Sequence, residues 1–183
     1  MTTGSSQNKK QKLQVRKPIR VIHINFQSLW NKKPELLEII NSCKTDIIIG
    51  TDTWLDKSIP PTDFFQSSLY NVYRNDRPTN NKNQSHGGVL IAFTKESISS
   101  EIVELKTDSE IVWAKLNISG TKKICVGSYY RPPSDKGTSL EQLNISLNRL
   151  DNTTTTNNMV RREINLTHRL VKTSIHFRQK ILP

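Results

Sequence analysis

Asp46-Ile47-Ile48-Ile49-Gly50-Thr51-Asp52-Thr53-Trp54-Leu55 opens on an acid and three consecutive isoleucines and then turns polar. An apolar run without polar alternation marks a strand buried on both faces, as in a sheet covered on each side. Just upstream, Pro34-Glu35-Leu36-Leu37-Glu38-Ile39-Ile40-Asn41-Ser42-Cys43 has helical spacing, with Leu36, Leu37, Ile40 and Cys43 on one face. Pro34 suits the first helical turn, where a missing N–H costs nothing, and the acids lie toward the positive end of the helix dipole. Further upstream, Ile19 to Asn25 is a β-branched run that reads as a first strand. Strand, helix, strand in this order predicts a βαβ-like start of an α/β fold, with the ends of the two strands side by side.

Downstream, Asp56 to Ser68 holds two prolines and reads as a loop, and Leu69 to Arg74 as a short strand. Asn75 to His86 is polar and Asn-rich, the composition of a mobile loop, and Gly87-Gly88 leads into an apolar strand, Val89 to Phe93. Glu110 to Asn117 and Lys122 to Tyr130 read as strands joined by Ile118-Ser119-Gly120-Thr121, a connection suited to an antiparallel hairpin. Ser139-Leu140-Glu141-Gln142 fits a capping box, and Leu140, Leu143, Leu147 and Leu150 form the stripe of a helix expected to end near Leu150. From Asp151 the composition shifts to threonine and asparagine and then to a basic segment. The expected organisation is a disordered basic arm at 1–17, a folded unit at 18–150 and a divergent, disordered basic tail at 151–183.

A chain of 183 residues has room for one domain with a real core. At 34% hydrophobic and 23% charged residues, part of it is expected to fold and part not. The net charge of +11 is unevenly spread. Residues 1–20 carry six Lys/Arg and no acid, residues 151–183 carry six against two acids, and the stretch between is at +1. The excess therefore describes basic ends able to neutralise phosphates rather than a basic fold. Cys43 and Cys125 lie in apolar surroundings without a CxxC spacing and read as reduced core thiols. The N-terminal stretch has no apolar segment and no run is long enough to span a bilayer, so an intracellular protein of nucleus or cytoplasm, neither secreted nor in a membrane, is expected. Triplets such as Asn117-Ile118-Ser119 are then not glycosylation sites.

Polar side chains gather at the expected strand ends: Asn25 after the first strand, Asp52 after the second, and Tyr129, Tyr130 and Arg131 after the last. Ligands of layered α/β proteins collect at such ends, although a strand-end Asn or Asp also serves as a plain turn residue. Trp54 and Trp113, in apolar strand contexts, read as core, and His86 as a loop residue.

Five segments, taken in order, resemble the endonuclease/exonuclease/phosphatase (DNase I-like) superfamily, in particular the apurinic-endonuclease-like domain of non-LTR retrotransposons. They are His23-Ile24-Asn25-Phe26-Gln27-Ser28-Leu29, Asp46 to Leu55, Tyr73-Arg74-Asn75-Asp76-Arg77, Gly87-Gly88-Val89-Leu90-Ile91, and Val126-Gly127-Ser128-Tyr129-Tyr130-Arg131-Pro132-Pro133. The resemblance implies metal-dependent hydrolysis of DNA phosphodiester bonds, with DNA as partner, Mg²⁺ as cofactor and no small-molecule cofactor. It places Asn25 beside a metal ligand or phosphate oxygen, Asp52 as the metal-binding carboxylate, Tyr130 as a hydrogen-bond donor to the phosphate and Arg131 as added positive charge. Where the family has Glu, this chain has Asp52, whose carboxylate is withdrawn by roughly 1.5 Å, a change that weakens a site for a cation as exacting as Mg²⁺.

The family's later Gly-Asp-Phe-Asn and Ser-Asp-His segments have no counterpart, since no Gly-Asp or Asp-His pair occurs in the chain. The groups that position the nucleophile and support acid–base chemistry are thus expected to be missing, and nicking activity with them. The expected fold is a partial DNase I-like α/β sandwich, a truncated unit holding the first sheet with flanking helices. The missing half would leave an apolar sheet face for a partner to cover. A second reading is a non-catalytic nucleic-acid-binding protein that works through its basic tails.

Overall fold

A computed structural model of the chain describes residues 18–78, 86–117 and 123–155. The basic arm at 1–17, most of the Asn-rich loop, the Ser-Gly hairpin connection and the tail beyond Thr155 lie outside the described residues. The expected βαβ start is present: β1 (Val21–Asn25), α1 (Lys33–Cys43) and β2 (Ile47–Thr51), with β1 and β2 paired in parallel. Next come β3 (Tyr70–Asn75) and β4 (Val89–Thr94); β4 lies between β2 and β3 and is antiparallel to both, so the first sheet has the order β1-β2-β4-β3. A second, antiparallel sheet contains β5 (Ile98–Glu101), β6 (Glu110–Asn117) and β7 (Lys123–Tyr130), and α2 (Thr138–Thr155) follows.

The period-2 alternation of the strands sorts their side chains into three apolar layers. Ile47, Val89, Ile91 and Phe93 of the first sheet meet Val112, Ala114 and Leu116 of the second, which makes the inter-sheet core. The opposite face of the first sheet, with Ile48, Leu90 and Ala92, packs beneath Leu36 of α1 and the loop residues Phe26, Leu29, Leu55, Phe64 and Phe65. The outer face of the second sheet, with Ile111 and Trp113, packs on Leu143 and Leu150 of α2. The architecture is an α/β sandwich, helix to sheet to sheet to helix.

Several expectations need correction. The first sheet does not stand alone with a bare apolar face, because three strands of a second sheet already cover it. On α1 the inward face is Leu36 with Ile39 and Ile40 beside it, whereas Leu37 and Cys43 are exposed. Cys43 is therefore a surface thiol, while Cys125 is half-buried and burial pushes its thiol up to about 12. β5 was not anticipated: its four residues include an exposed Ile98 and show no apolar alternation. α2 runs past Leu150 to Thr155, and it is capped by Asp135 rather than by a Ser139–Gln142 box. The Asp135 carboxylate accepts the backbone N–H groups of Gly137 and Ser139, each at 3.1 Å.

Candidate active site

Because β1 and β2 run parallel, the chain leaves both at the same edge of the sandwich. Their pairing continues beyond the strands: Phe26 N–H donates to Thr51 O (2.9 Å), Ser28 N–H to Asp52 O (3.1 Å) and Leu29 N–H to Thr53 O (2.9 Å). From the other side, Thr53 and Trp54 donate their N–H groups to Gly88 O (3.3 Å) and Gly87 O (2.8 Å). This double clamp holds Asp52 and Trp54 at φ of +54° and +57°, conformations that cost of order 1–3 kcal/mol each in a non-glycine residue. Gly87 and Gly88, at φ of +106° and +84°, take the matching turns without that cost.

Asp52 is 8% exposed and accepts a hydrogen bond from the Trp54 indole Nε1 at 2.8 Å. The Tyr130 phenol, which arrives from β7 in the other sheet, lies close enough to this carboxylate to feel its charge. Two residues earlier on β7, Ser128 Oγ donates to Gly50 O at 2.9 Å and pins that strand to β2. Burial and, next, the negative charge of Asp52 push the Tyr130 phenol above its ordinary value, with Arg77 opposing, so the group stays protonated and able to donate at neutral pH. Asn25, 9% exposed at the neighbouring end of β1, has a buried Oδ1 with no hydrogen-bond partner.

Two charged residues complete the constellation, and neither was singled out from the sequence. Glu110, the first residue of β6, accepts Gly88 N–H and Arg77 Nε, each at 2.5 Å, and also pairs with Arg77 Nη2. Burial raises the Glu110 carboxyl above its usual range, the Gly88 N–H and Arg77 bonds counter this, and the charge of Asp52 adds to the rise. The Arg77 guanidinium lies 5.7 Å from the centre of the Tyr130 ring. Arg77 closed the third of the five segments, but nothing local tells an acid at a strand start that its partner lies 33 residues away.

The structure thus joins Asp52 to Tyr130 and sets Asn25 at the adjoining strand end. Arg131 is directed elsewhere, with Nε 3.1 Å from Asp135 Oδ2. Trp54 is a half-exposed part of the site rather than core, whereas Trp113 is buried. The exposed His86 packs its ring on Trp54, with centroids 4.2 Å apart.

Among the described residues there is no group of three or more His, Cys, Asp or Glu arranged for a metal. The donors present nonetheless fit Mg²⁺, which keeps several waters and takes one or two carboxylates together with substrate phosphate oxygens. Asp52 offers the carboxylate, and the unpaired Asn25 Oδ1 offers a neutral oxygen that lacks any other partner.

No protein-family model and no curated protein matches the chain. Solved structures do. The endonuclease domain of TRAS1, a telomere-specific non-LTR retrotransposon, matches with a TM-score of 0.51 and 20% identity, over 70% of this chain and 53% of that one. The 3'-5' exonuclease NExo from Neisseria meningitidis matches at 0.53 and 17%, over 76% and 54%. The fold is DNase I-like. The AP endonuclease LMAP from Leishmania major shares this DNase I-like fold at 0.54 and 14%, over 76% and 51%. The chain spans about half the length of these structures, which is the measure of "partial" in a partial DNase I-like sandwich. No helix among the described residues is long and apolar enough to cross a membrane.

Proposed function

We propose that the chain, derived from a non-LTR retrotransposon endonuclease, supplies the phosphate- and metal-binding part of a DNA phosphodiesterase site. The observation that carries this is the placement of the Tyr130 phenol beside the Asp52 carboxylate, which brings a hydroxyl donor and an oxygen ligand from separate sheets to one spot beside Asn25. The similarity to the TRAS1 endonuclease domain supports the reading, as does NExo from Neisseria, whose structure is known bound to a product DNA hairpin.

In this reading a DNA phosphate lies at the ends of β1 and β2. Tyr130, held protonated beside Asp52, turns its one O–H to donate to a non-bridging phosphate oxygen. Arg77, kept close by Glu110, adds positive potential behind the Tyr130 ring. Asn25 and Asp52 would hold a divalent cation, which would supply screening of the phosphate charge and polarisation of its oxygens. The chain's own residues bind and orient the phosphodiester but do not activate a nucleophile, because no Gly-Asp or Asp-His pair is present.

The test combines binding and nicking. Fluorescence anisotropy with labelled DNA should show Mg²⁺-assisted binding that Tyr130→Phe weakens severalfold, while supercoiled plasmid stays intact in Mg²⁺ or Mn²⁺. Efficient nicking that Asn25→Ala abolishes would show that the chain carries a complete catalytic site. Binding unaffected by Tyr130→Phe but lost steeply with added salt would favour the second reading, in which the basic ends alone hold DNA.

A further inference from the structure

Beside the Asp52–Tyr130 pair stands an aromatic surface that the phosphate reading does not use. The Trp54 indole points its Nε1 at Asp52, and the His86 ring lies against the indole at 4.2 Å with the planes tilted by 54°. His86 is exposed, so its outer face is open to solvent beside the anion site. The arrangement is also held rigidly. Trp54 keeps a left-handed backbone, unfavourable for a bulky residue, because its N–H is bound to Gly87 O, and Gly87 is the residue that follows His86. Thr53 Oγ1 faces the same Gly87 carbonyl at 3.4 Å.

We propose that Trp54 and His86 form a stacking platform for a nucleobase next to the bound phosphate, so that the substrate is DNA with an unstacked nucleotide: single-stranded, frayed or extruded from the duplex. The inference rests on the phosphate-binding reading above. A ligand that puts an anion at Tyr130 and a flat π-face on His86 is a nucleotide, and a base paired inside a duplex has no free face to offer. Stacking on aromatic rings is tolerant of sequence, because every base has a π-face. An unstacked target also removes the energy otherwise needed to extrude the base.

The experiment uses the full chain and two single-stranded oligonucleotides that differ at one central position, 2-aminopurine in one and an abasic tetrahydrofuran in the other. The expected result is quenching of 2-aminopurine on binding and about tenfold tighter binding of the base-bearing strand. His86→Ala should make the two affinities equal, and His86→Phe, which keeps a flat ring, should retain the preference. Both substitutions are at an exposed position, and circular dichroism melts confirm that the variants fold. Equal affinity of the unsubstituted chain for the two strands overturns the platform while leaving the phosphate site in place, and so does a base preference that survives His86→Ala. Failure to bind either strand overturns both.

Discussion

A single methylene separates Asp52 from the glutamate that the resembling family carries at the same place. In this chain the shorter side chain accepts from Trp54 Nε1 and lies beside the Tyr130 phenol. Lengthening it should push the carboxylate toward the open side, where a cation can share it with Asn25 Oδ1. Asp52→Glu is therefore expected to tighten Mn²⁺ binding on the order of tenfold, about 1.4 kcal/mol. Electron paramagnetic resonance of free Mn²⁺ reads this without any need for turnover, and unchanged affinity would mean that side-chain length does not limit the site. Asp52 and Tyr130 were legible in the sequence because each lies at a strand end inside one of the five segments. Glu110 and Arg77 were not, because their pairing exists only once β6 lies beside the Gly87–Gly88 turn. Arg131 was legible as a positive charge but not in its direction, which its bond to Asp135 sets.

Among the elements, α2 depends on one small residue. Ser146, fully buried, accepts the Trp113 indole N–H at 2.7 Å and donates to Leu105 O at 2.7 Å, so one hydroxyl satisfies two groups of the second sheet's outer layer. Ser146→Ala leaves a donor and an acceptor buried without partners and is expected to cost about 1–3 kcal/mol, read as a lower denaturation midpoint with an unchanged slope. The apolar stripe of α2 was visible at helical spacing, yet its use of a serine between leucines was not, since a polar residue at that position normally signals solvent. The βαβ start and the β6–β7 hairpin were also readable, because an apolar run or a short turn reports local structure. The β1-β2-β4-β3 order and β5 were not, because strand neighbours are chosen by packing between segments distant in the chain.

For the molecule as a whole, stability rests on the seam between the sheets. His23, on β1 opposite Ile49, shares the face of Val21 that packs in this seam, and burial lowers its pKa from the ordinary 6.5. Above pH 6.5 the imidazole is neutral in both folded and unfolded chains and has no effect on stability. Below it the unfolded chain takes up a proton that the folded one resists, so stability falls as pH drops, by at most about 1.4 kcal/mol per pH unit for one proton. Melting temperatures between pH 7.5 and 5.5 should show this decline, and His23→Gln should flatten it. The seam also governs timing. Ser128 and Gly50, the pair that seats Tyr130 over Asp52, are 78 residues apart in the chain. A ribosome that has released β1 and β2 has made a strand pair but not the Asp52–Tyr130 cluster. The hydroxyl that completes it emerges only with β7, and its docking must then close a loop through β3, β4, β5 and β6. Assembly of the Asn25–Asp52–Tyr130 cluster should accordingly be among the last events of folding, after both sheets have met.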